Sequence, residues 1–410
     1  GMPGGEARRR VPRWARRRVR VRGGHGMAMK TWLMLLLLAV GSLVALSLTV
    51  LTSATLLDAR PGMTVTSQWA ACVAGVALLL GAASMDHRRW SRLAWPLLGV
   101  TLVLLALVLV FGREINGARR WLWGVQPAEL AKLALIVVLS LHGARNAASM
   151  GRVRTFLWGA FVLAGPLVAL VLMEPDRGTG ALLLALTLML LLLAGASWWM
   201  VAGPAVLGAA ALTTMIVVSP MARDRIEAWL HPEANPKAHF QVRRGLLAFG
   251  SGGVEGTGLG KGTMKFSVPE VRTDFILPAV GEELGLTFTL AVVTAYLVIL
   301  WAGTSIALRA PDDFGRLMAS GITFLIAMQA VINIGVVTSV FPNKGMPLPF
   351  VSRGGSNLIV LLTMVGILAA IARAADEEGE EPRGKTDAAR PSRVRRRNPF
   401  GRDDEWVGAA

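Results

Sequence analysis

The chain has 410 residues, with 43 Lys and Arg against 26 Asp and Glu, a formal charge of +17, and 53% hydrophobic residues. Its mean hydropathy is +0.53, and such hydropathy coexists with such basicity only when the two are segregated along the chain. That segregation excludes an ordinary soluble domain and marks a polytopic membrane protein.

The chain opens on a basic tail, residues 1–30, with nine arginines between Arg8 and Arg22. Beside a membrane span this tract reads as a topology signal and a contact for anionic lipid, and not as a nucleic-acid surface. Ten apolar windows follow that are long enough to cross roughly 30 Å of hydrocarbon. They are Thr31–Leu51, Gln68–Ser84, Trp95–Phe111, Pro127–His142, Phe156–Met173, Gly178–Ala194, Met200–Ser219, Leu284–Leu308, Phe314–Val340 and Asn357–Arg373. The first is too long for a signal-peptide core and is read as a retained anchor. Cys72, the lone cysteine, lies in an apolar run, excludes an intrachain disulfide and reads as a small packing residue.

The expected fold is therefore all-α, with ten transmembrane helices forming a membrane domain over residues 31–373. An even number of spans puts both termini on one side, and the positive-inside rule makes that side cytoplasmic. His87-Arg-Arg89, Arg145, Arg152, Arg154, Arg309 and Arg316 all fall on the same side. The one long interruption, residues 220–283 between the seventh and eighth spans, then becomes a large extracytoplasmic loop. A site there has no ATP to draw on and needs an already activated substrate. The charged tail 374–410, like the first, is too polar to bury a core and is expected to be disordered.

Charges inside spans are costly unless paired or facing a polar cavity. Glu129 and Lys132, in Gln126-Pro-Ala-Glu-Leu-Ala-Lys132, are i and i+3 on one helical face. Two readings stand: a local ion pair, or a pair facing a cavity and a charged substrate. Glu174-Pro-Asp-Arg177 packs three charges into a tight turn that solvation alone would explain. Gln329 and Asn333, i and i+4, read as interhelical hydrogen-bonding groups. The stretch from Phe341 to Asn357 carries three prolines and three glycines, which forbid a regular helix, and it reads either as irregular backbone that lines a cavity or is buried in protein, or as a simple loop. Lys344 and Arg353 place two cations there, suited to phosphate.

The long loop centres on Gly250-Ser-Gly-Gly253 and Gly256-Thr-Gly-Leu-Gly-Lys-Gly262. The phosphate-loop pattern is not met, because Glu255 and Gly262 stand where it needs Gly and Ser or Thr. His231 and His239 have no further ligands around them, and no zinc site is read. Asp274, at the start of the eighth span, has two readings: a carboxylate whose pKa is raised at a membrane boundary and serves as a base, or a cap for the next helix. Glu282 and Glu283 follow closely. A divalent cation, magnesium or manganese, is a candidate bridge from a pyrophosphate to Asp274 or Glu282, although the sequence shows no clear ligand cluster.

Four segments together resemble a known family. They are Gly117-Ala-Arg-Arg-Trp121 leading into Gln126–Lys132, then Glu174-Pro-Asp-Arg-Gly-Thr179, then Pro269-Glu-Val-Arg-Thr-Asp-Phe275 with Gly281-Glu-Glu-Leu-Gly285, and Lys344-Gly-Met-Pro-Leu-Pro-Phe-Val-Ser-Arg-Gly-Gly-Ser356. This set, in this order, is similar to the SEDS family, whose branches are FtsW, RodA and SpoVE. The resemblance covers residues 117–356 and leaves out the tails. It implies ten transmembrane helices and a peptidoglycan glycosyltransferase that polymerises lipid II at the outer face of the cytoplasmic membrane, with a class B penicillin-binding transpeptidase and other division or elongation membrane proteins as partners.

By the same resemblance Asp274 is the general base. Lys344, Arg353, Arg223 and Arg225 would steady phosphate charge, Glu129 and Lys132 would face a central cavity, and Glu282 and Ser356 would join the substrate contacts. The sequence departs from the family pattern at Arg272 (usually His), Arg353 (usually Tyr), Asn235 (usually Asp) and Phe240 (usually Tyr). Gly256-Thr-Gly-Leu-Gly260 and the long tails resemble the FtsW branch, in septal wall synthesis, more than the RodA branch. Lipid II flipping without polymerisation, an elongation role, and a non-catalytic scaffold are the competing functions.

Overall fold

The computed structural model describes residues 28–55, 61–115 and 118–380. The tail segments 1–27 and 381–410 lie outside the described residues. The helices are α1 (Met29–Ala54), α2 (Pro61–Ser84), α3 (Trp90–Phe111), α4 (Pro127–Asn146), α5 (Val153–Leu157), α6 (Gly165–Met173), α7 (Arg177–Leu193), α8 (Trp198–Val218), α9 (Pro220–Leu230), α10 (Pro236–Gly252), α11 (Ile276–Leu308), α12 (Asp313–Val337) and α13 (Gly355–Glu380). A π-helical turn, Trp158–Ala164, joins α5 to α6. Pro166 lies just beyond it, where a missing N–H leaves the ladder a bond short.

Among the described residues, nine helical segments are long and apolar enough to cross a membrane, and α7, with 17 residues, is a shorter apolar tenth. These ten coincide with the ten windows read from the sequence. Two boundaries move. α11 starts at Ile276, eight residues before the window at Leu284, and α13 runs on to Glu380, so residues 374–380 are helical. A short antiparallel hairpin, β1 (Arg113–Ile115) and β2 (Ala118–Trp121), projects between α3 and α4.

The middle of the bundle is α4, 94% of whose spanning window is buried, although it has the lowest hydropathy of the nine spans. The window of α8 has none of its residues buried, at higher hydropathy. The inversion has a physical cause. A helix wrapped by other helices can hold a paired Glu and Lys, whereas one facing lipid must be apolar throughout.

α11 is not one continuous helix. Gly285 sits at φ 76°, ψ −174°, breaking the ladder near its start. The glycine-rich loop repairs this break. Thr257 and Gly258 donate their N–H groups to the carbonyls of Glu282 and Glu283, each at 2.9 Å, and Leu286 N–H donates to Gly253 C=O at 3.0 Å. The backbones approach so closely that a Cβ on Gly285 would fall on the Val254 carbonyl, and one on Gly256 on the Glu283 carbonyl. The loop's glycines therefore serve close backbone packing. Beneath it, Lys265 is fully buried and donates to Glu283 and, at 2.7 Å, to Ser53 of α1.

The other irregular stretch, residues 338–354, is threaded into the bundle. Tyr296 donates to Pro349 C=O and Ser47 to Val351 C=O. The Asn333 side-chain amide donates to the carbonyls of both Asp274 and Met346, at 2.8 and 2.7 Å. Ser352 donates to Thr273 C=O, and Arg353 N–H to Arg272 C=O at 2.8 Å. Helices α9 and α10 reach the start of this stretch through Trp229, which donates to Ser339 C=O at 3.0 Å, and Gln241, which accepts from Asn343 at 3.1 Å.

Gly285→Ala is expected to lower the melting temperature in detergent, with a strain of about 1–3 kcal/mol from the backbone alone and more from the clash. Gly41→Ala, in open space on α1, should leave it unchanged or slightly higher. Equal melting temperatures for the two variants would refute the account of the break. Lys265→Met should cost about 3–5 kcal/mol by stranding the buried Glu283 carboxylate. Most of that loss should return in the Lys265→Met/Glu283→Leu double variant, measured as a double-mutant cycle.

Candidate functional site

Asp274 closes a run of turns, residues 268–275, just before α11. The N-cap position of α11 is Phe275, and no side chain caps that helix. The capping reading of Asp274 is thus not what the structure shows. Its backbone is pinned by Asn333, and a Cβ on Gly345 would meet its carboxylate, so the 344–346 backbone passes directly against it. Among the described residues its carboxylate accepts no hydrogen bond from the protein. Burial, reinforced by the Glu270 and Asp176 carboxylates, pushes its pKa up to about 7, against the pull of Arg225 and Arg120.

Four cations converge here from four elements. Arg120 comes from β2, Arg177 from the start of α7, Arg225 from α9, and Lys344 from the irregular stretch. Lys344 lies across Gly178, where an added Cβ would be 2.9 Å from its Cε. Burial lowers its pKa; Asp176 opposes this, while Arg177 and Arg225 add to it. Each cation is anchored or balanced. Arg120 donates to the Glu174 and Pro175 carbonyls at 3.3 and 2.7 Å, and Arg177 to Ser219 at 3.1 Å. Asp176 caps α7, accepting from the Thr179 N–H at 3.1 Å and its hydroxyl at 2.9 Å.

The turn at 174–177 is not the solvated surface turn that the sequence suggested. Glu174 is fully buried, both its carboxylate oxygens lack hydrogen-bond partners among the described residues, and burial with Asp176 raises its pKa to about 8 despite Arg120. At neutral pH it is therefore mainly protonated, which spares the site one buried negative charge.

The other predicted site residues separate into two groups. Arg225 joins the cluster, whereas Arg223, two positions away on the same helix and so on a different face, is not among the charges that act on Asp274. Arg353 is half-buried, and its guanidinium has no charged partner among the described residues, leaving it free for an anion. The remaining four are engaged within the fold.

Glu129 and Lys132 bond each other at 2.7–2.8 Å, Asn357 donates to Glu129 at 2.9 Å, and both are buried. The two side chains form an ion pair within α4. Ser356 accepts the Gln126 N–H at 3.1 Å, tying α13 to the start of α4. Glu282 accepts the Met264 and Lys265 N–H groups, both at 2.7 Å, and is buried. Each of its carboxylate oxygens thus helps to organise the loop. No group of three or more His, Cys, Asp or Glu that could hold a metal ion occurs among the described residues.

Arg120, Asp176 and Arg177 were missed as site residues in the sequence. All three lie in segments that carry the family resemblance, yet nothing in their spacing brings a hairpin at 113–121 against a turn at 174–177.

The chain is 38% identical over 304 residues to the probable peptidoglycan glycosyltransferase FtsW of Geobacter metallireducens, covering 72% of this chain and 81% of that one. It is 32% identical over 307 residues to stage V sporulation protein E of Bacillus subtilis, covering 73% and 84%. Its fold matches the rod shape determining protein RodA of Thermus thermophilus with a TM-score of 0.60 at 29% identity, covering 82% of this chain and 95% of that one. A chain of a peptidoglycan synthase complex that coordinates polymerization and crosslinking matches with a TM-score of 0.66 at 28% identity, covering 83% and 97%. Residues 27–377 match the sequence model of the cell cycle proteins FtsW, RodA and SpoVE. This chain, a multi-pass membrane protein, belongs to the FtsW/RodA/SpoVE family.

Proposed function

We propose that the chain is a peptidoglycan glycosyltransferase of the FtsW type that polymerises lipid II, with Asp274 as its general base. The observation that carries this reading is the placement of Asp274: an unbonded carboxylate with a pKa of about 7, beside a cluster of cations. A base poised near neutral pH can take a proton from a sugar hydroxyl and still be ionised often enough to turn over. The acceptor's hydroxyl oxygen, its proton passing to Asp274, attacks the anomeric carbon of the donor sugar. The bond from that carbon to the pyrophosphate oxygen breaks with both electrons, and the undecaprenyl pyrophosphate leaves carrying the charge. Lys344, Arg225, Arg353, Arg120 and Arg177 are the cations that would meet it, and bidentate guanidinium contacts suit phosphate oxygens.

The reading places the protein in the cytoplasmic membrane with both termini cytoplasmic and residues 220–283 outside, as the basic short loops require. The likeness to a chain from a complex that couples polymerization to crosslinking supports a transpeptidase partner, a class B penicillin-binding protein. The relatives named FtsW support a place in septal wall synthesis.

Purified protein with its partner should form glycan strands from lipid II, and Asp274→Ala should lose about 10²–10⁴-fold in rate while remaining folded. Wild-type polymer yield in that variant would sink the base assignment, and lipid transfer between leaflets with no polymer from the wild type would turn the reading to a flippase. The wild-type rate should rise through about pH 7 as Asp274 ionises.

Stability should run the other way. The folded pKa of Asp274 is raised above its ordinary 3.8, so stability is full below about pH 4 and falls as pH rises to about 7. Asp274→Asn should accordingly match the wild-type melting temperature near pH 4 and exceed it at pH 8, by the order of a few kcal/mol. A pH-independent difference would show that the carboxylate is not buried as described.

A further inference from the structure

A second cavity, of about 370 Å³, lies at the far end of the bundle, between the start of α3, the last turns of α4 and the start of α5. Arg145 follows Glu129 along α4, so the arginine end of this cavity and the Glu129 end are separated by about 24 Å of helix. Arg145 and Arg154 line it with His142 and Asn146, and Trp95 and Trp158 stand at its sides. Val138, Leu141 and Leu163 form an apolar wall deeper in.

We infer that this cavity is a binding site for the phosphate headgroup of an anionic phospholipid drawn from the leaflet at that end of the bundle. No carboxylate lines the cavity, and neither arginine has an ion-pair or hydrogen-bond partner among the described residues, so two guanidinium groups share one concavity uncompensated. His142 is locked in place and adds no competing anion. Its Nε2–H donates to Thr155 C=O at 3.0 Å, and Asn146 donates to its Nδ1 at 3.3 Å and to its carbonyl at 2.9 Å.

The walls fit an amphiphile better than a free anion. Trp95 and Trp158 are each about half exposed, at 51% and 53%, as interfacial indoles are at headgroup depth. Below them the apolar wall offers glycerol and the first acyl carbons a place that inorganic phosphate cannot use. The site also sits at a departure from regular helix, because the π turn begins at Trp158. Gly159 lets that turn press against His142, where a Cβ would lie 3.0 Å from its ring. The short basic segments His87-Arg-Arg89 and Arg152–Arg154 lie at the same end, where positive charge accumulates beside an anionic leaflet.

The test uses the full-length chain in nanodiscs of phosphatidylcholine with or without phosphatidylglycerol, released for native mass spectrometry. Wild type should retain one phosphatidylglycerol molecule beyond those held by Arg145→Gln/Arg154→Gln, whose apparent affinity should fall at least tenfold. The pair Arg145→Lys/Arg154→Lys should recover part of it, because charge is kept and the bidentate fork is lost. Glycerol 3-phosphate and inorganic phosphate, added in excess, should not displace the lipid. Both arginines are exposed, so melting temperatures in phosphatidylcholine alone should be equal for all three proteins and report intact folding. Equal retention of phosphatidylglycerol by wild type and the Gln variant would overturn the proposal. Displacement by free phosphate would overturn it in favour of a soluble-anion site. Arg89→Gln/Arg92→Gln, outside the cavity lining, should retain the lipid as wild type does; loss there would reduce the effect to general surface charge.

Discussion

Two stretches of irregular backbone, residues 253–275 and 338–354, pack against the helices, and wherever their polar groups are buried these must find a partner inside the protein. The rest of the molecule follows from how that demand is met. Gly285 breaks α11, the glycine loop supplies N–H groups to the freed carbonyls, and Glu282 supplies a carboxylate to the N–H groups of Met264 and Lys265. Asn333 then locks the two irregular stretches to each other through one side chain. Asp274 sits at that lock. Its position is set by backbone bonding to groups far away in sequence, leaving its own carboxylate uncommitted.

Charge in the membrane domain is divided in the same way. Glu129 with Lys132 and Glu283 with Lys265 are buried pairs whose members neutralise each other. Such pairs add little net stability, but removing one member is costly, and that asymmetry keeps the helices in register. Around Asp274 the balance is deliberately incomplete. Arg120, Arg177, Arg225 and Lys344 outnumber Asp176, Glu270 and an Asp274 that is only half ionised near pH 7, while Glu174 is held mainly protonated. An excess of anchored positive charge over a partly enclosed surface is what a pyrophosphate leaving group requires.

The sequence reading succeeded where the signal was local. Apolar windows marked all ten helices because lipid imposes a length and a polarity that a one-dimensional count detects. The Pro- and Gly-rich stretch after Phe341 was legible as irregular backbone for the same reason. The reading was less secure where a residue's role depends on what packs against it. Glu282 and Ser356 look like free polar groups in sequence and are occupied in the structure, one by two backbone N–H groups and the other by Gln126. Glu174 looks like a surface charge and is buried.

Composition, periodicity and a few motifs thus determined the class of protein, its spans, its family resemblance and the candidate base, since each is written in neighbouring residues. Which helix lies at the centre, which carboxylates are spent and which one is free were decided only by the tertiary structure. The least hydrophobic span, α4, became the most buried because its charges pair inside the bundle. Arg120 and Arg177, 57 positions apart by their numbers, entered one electrostatic cluster because a hairpin folds over a turn. Burial and long-range charge set the pKa of Asp274, and neither is a property of any segment taken alone.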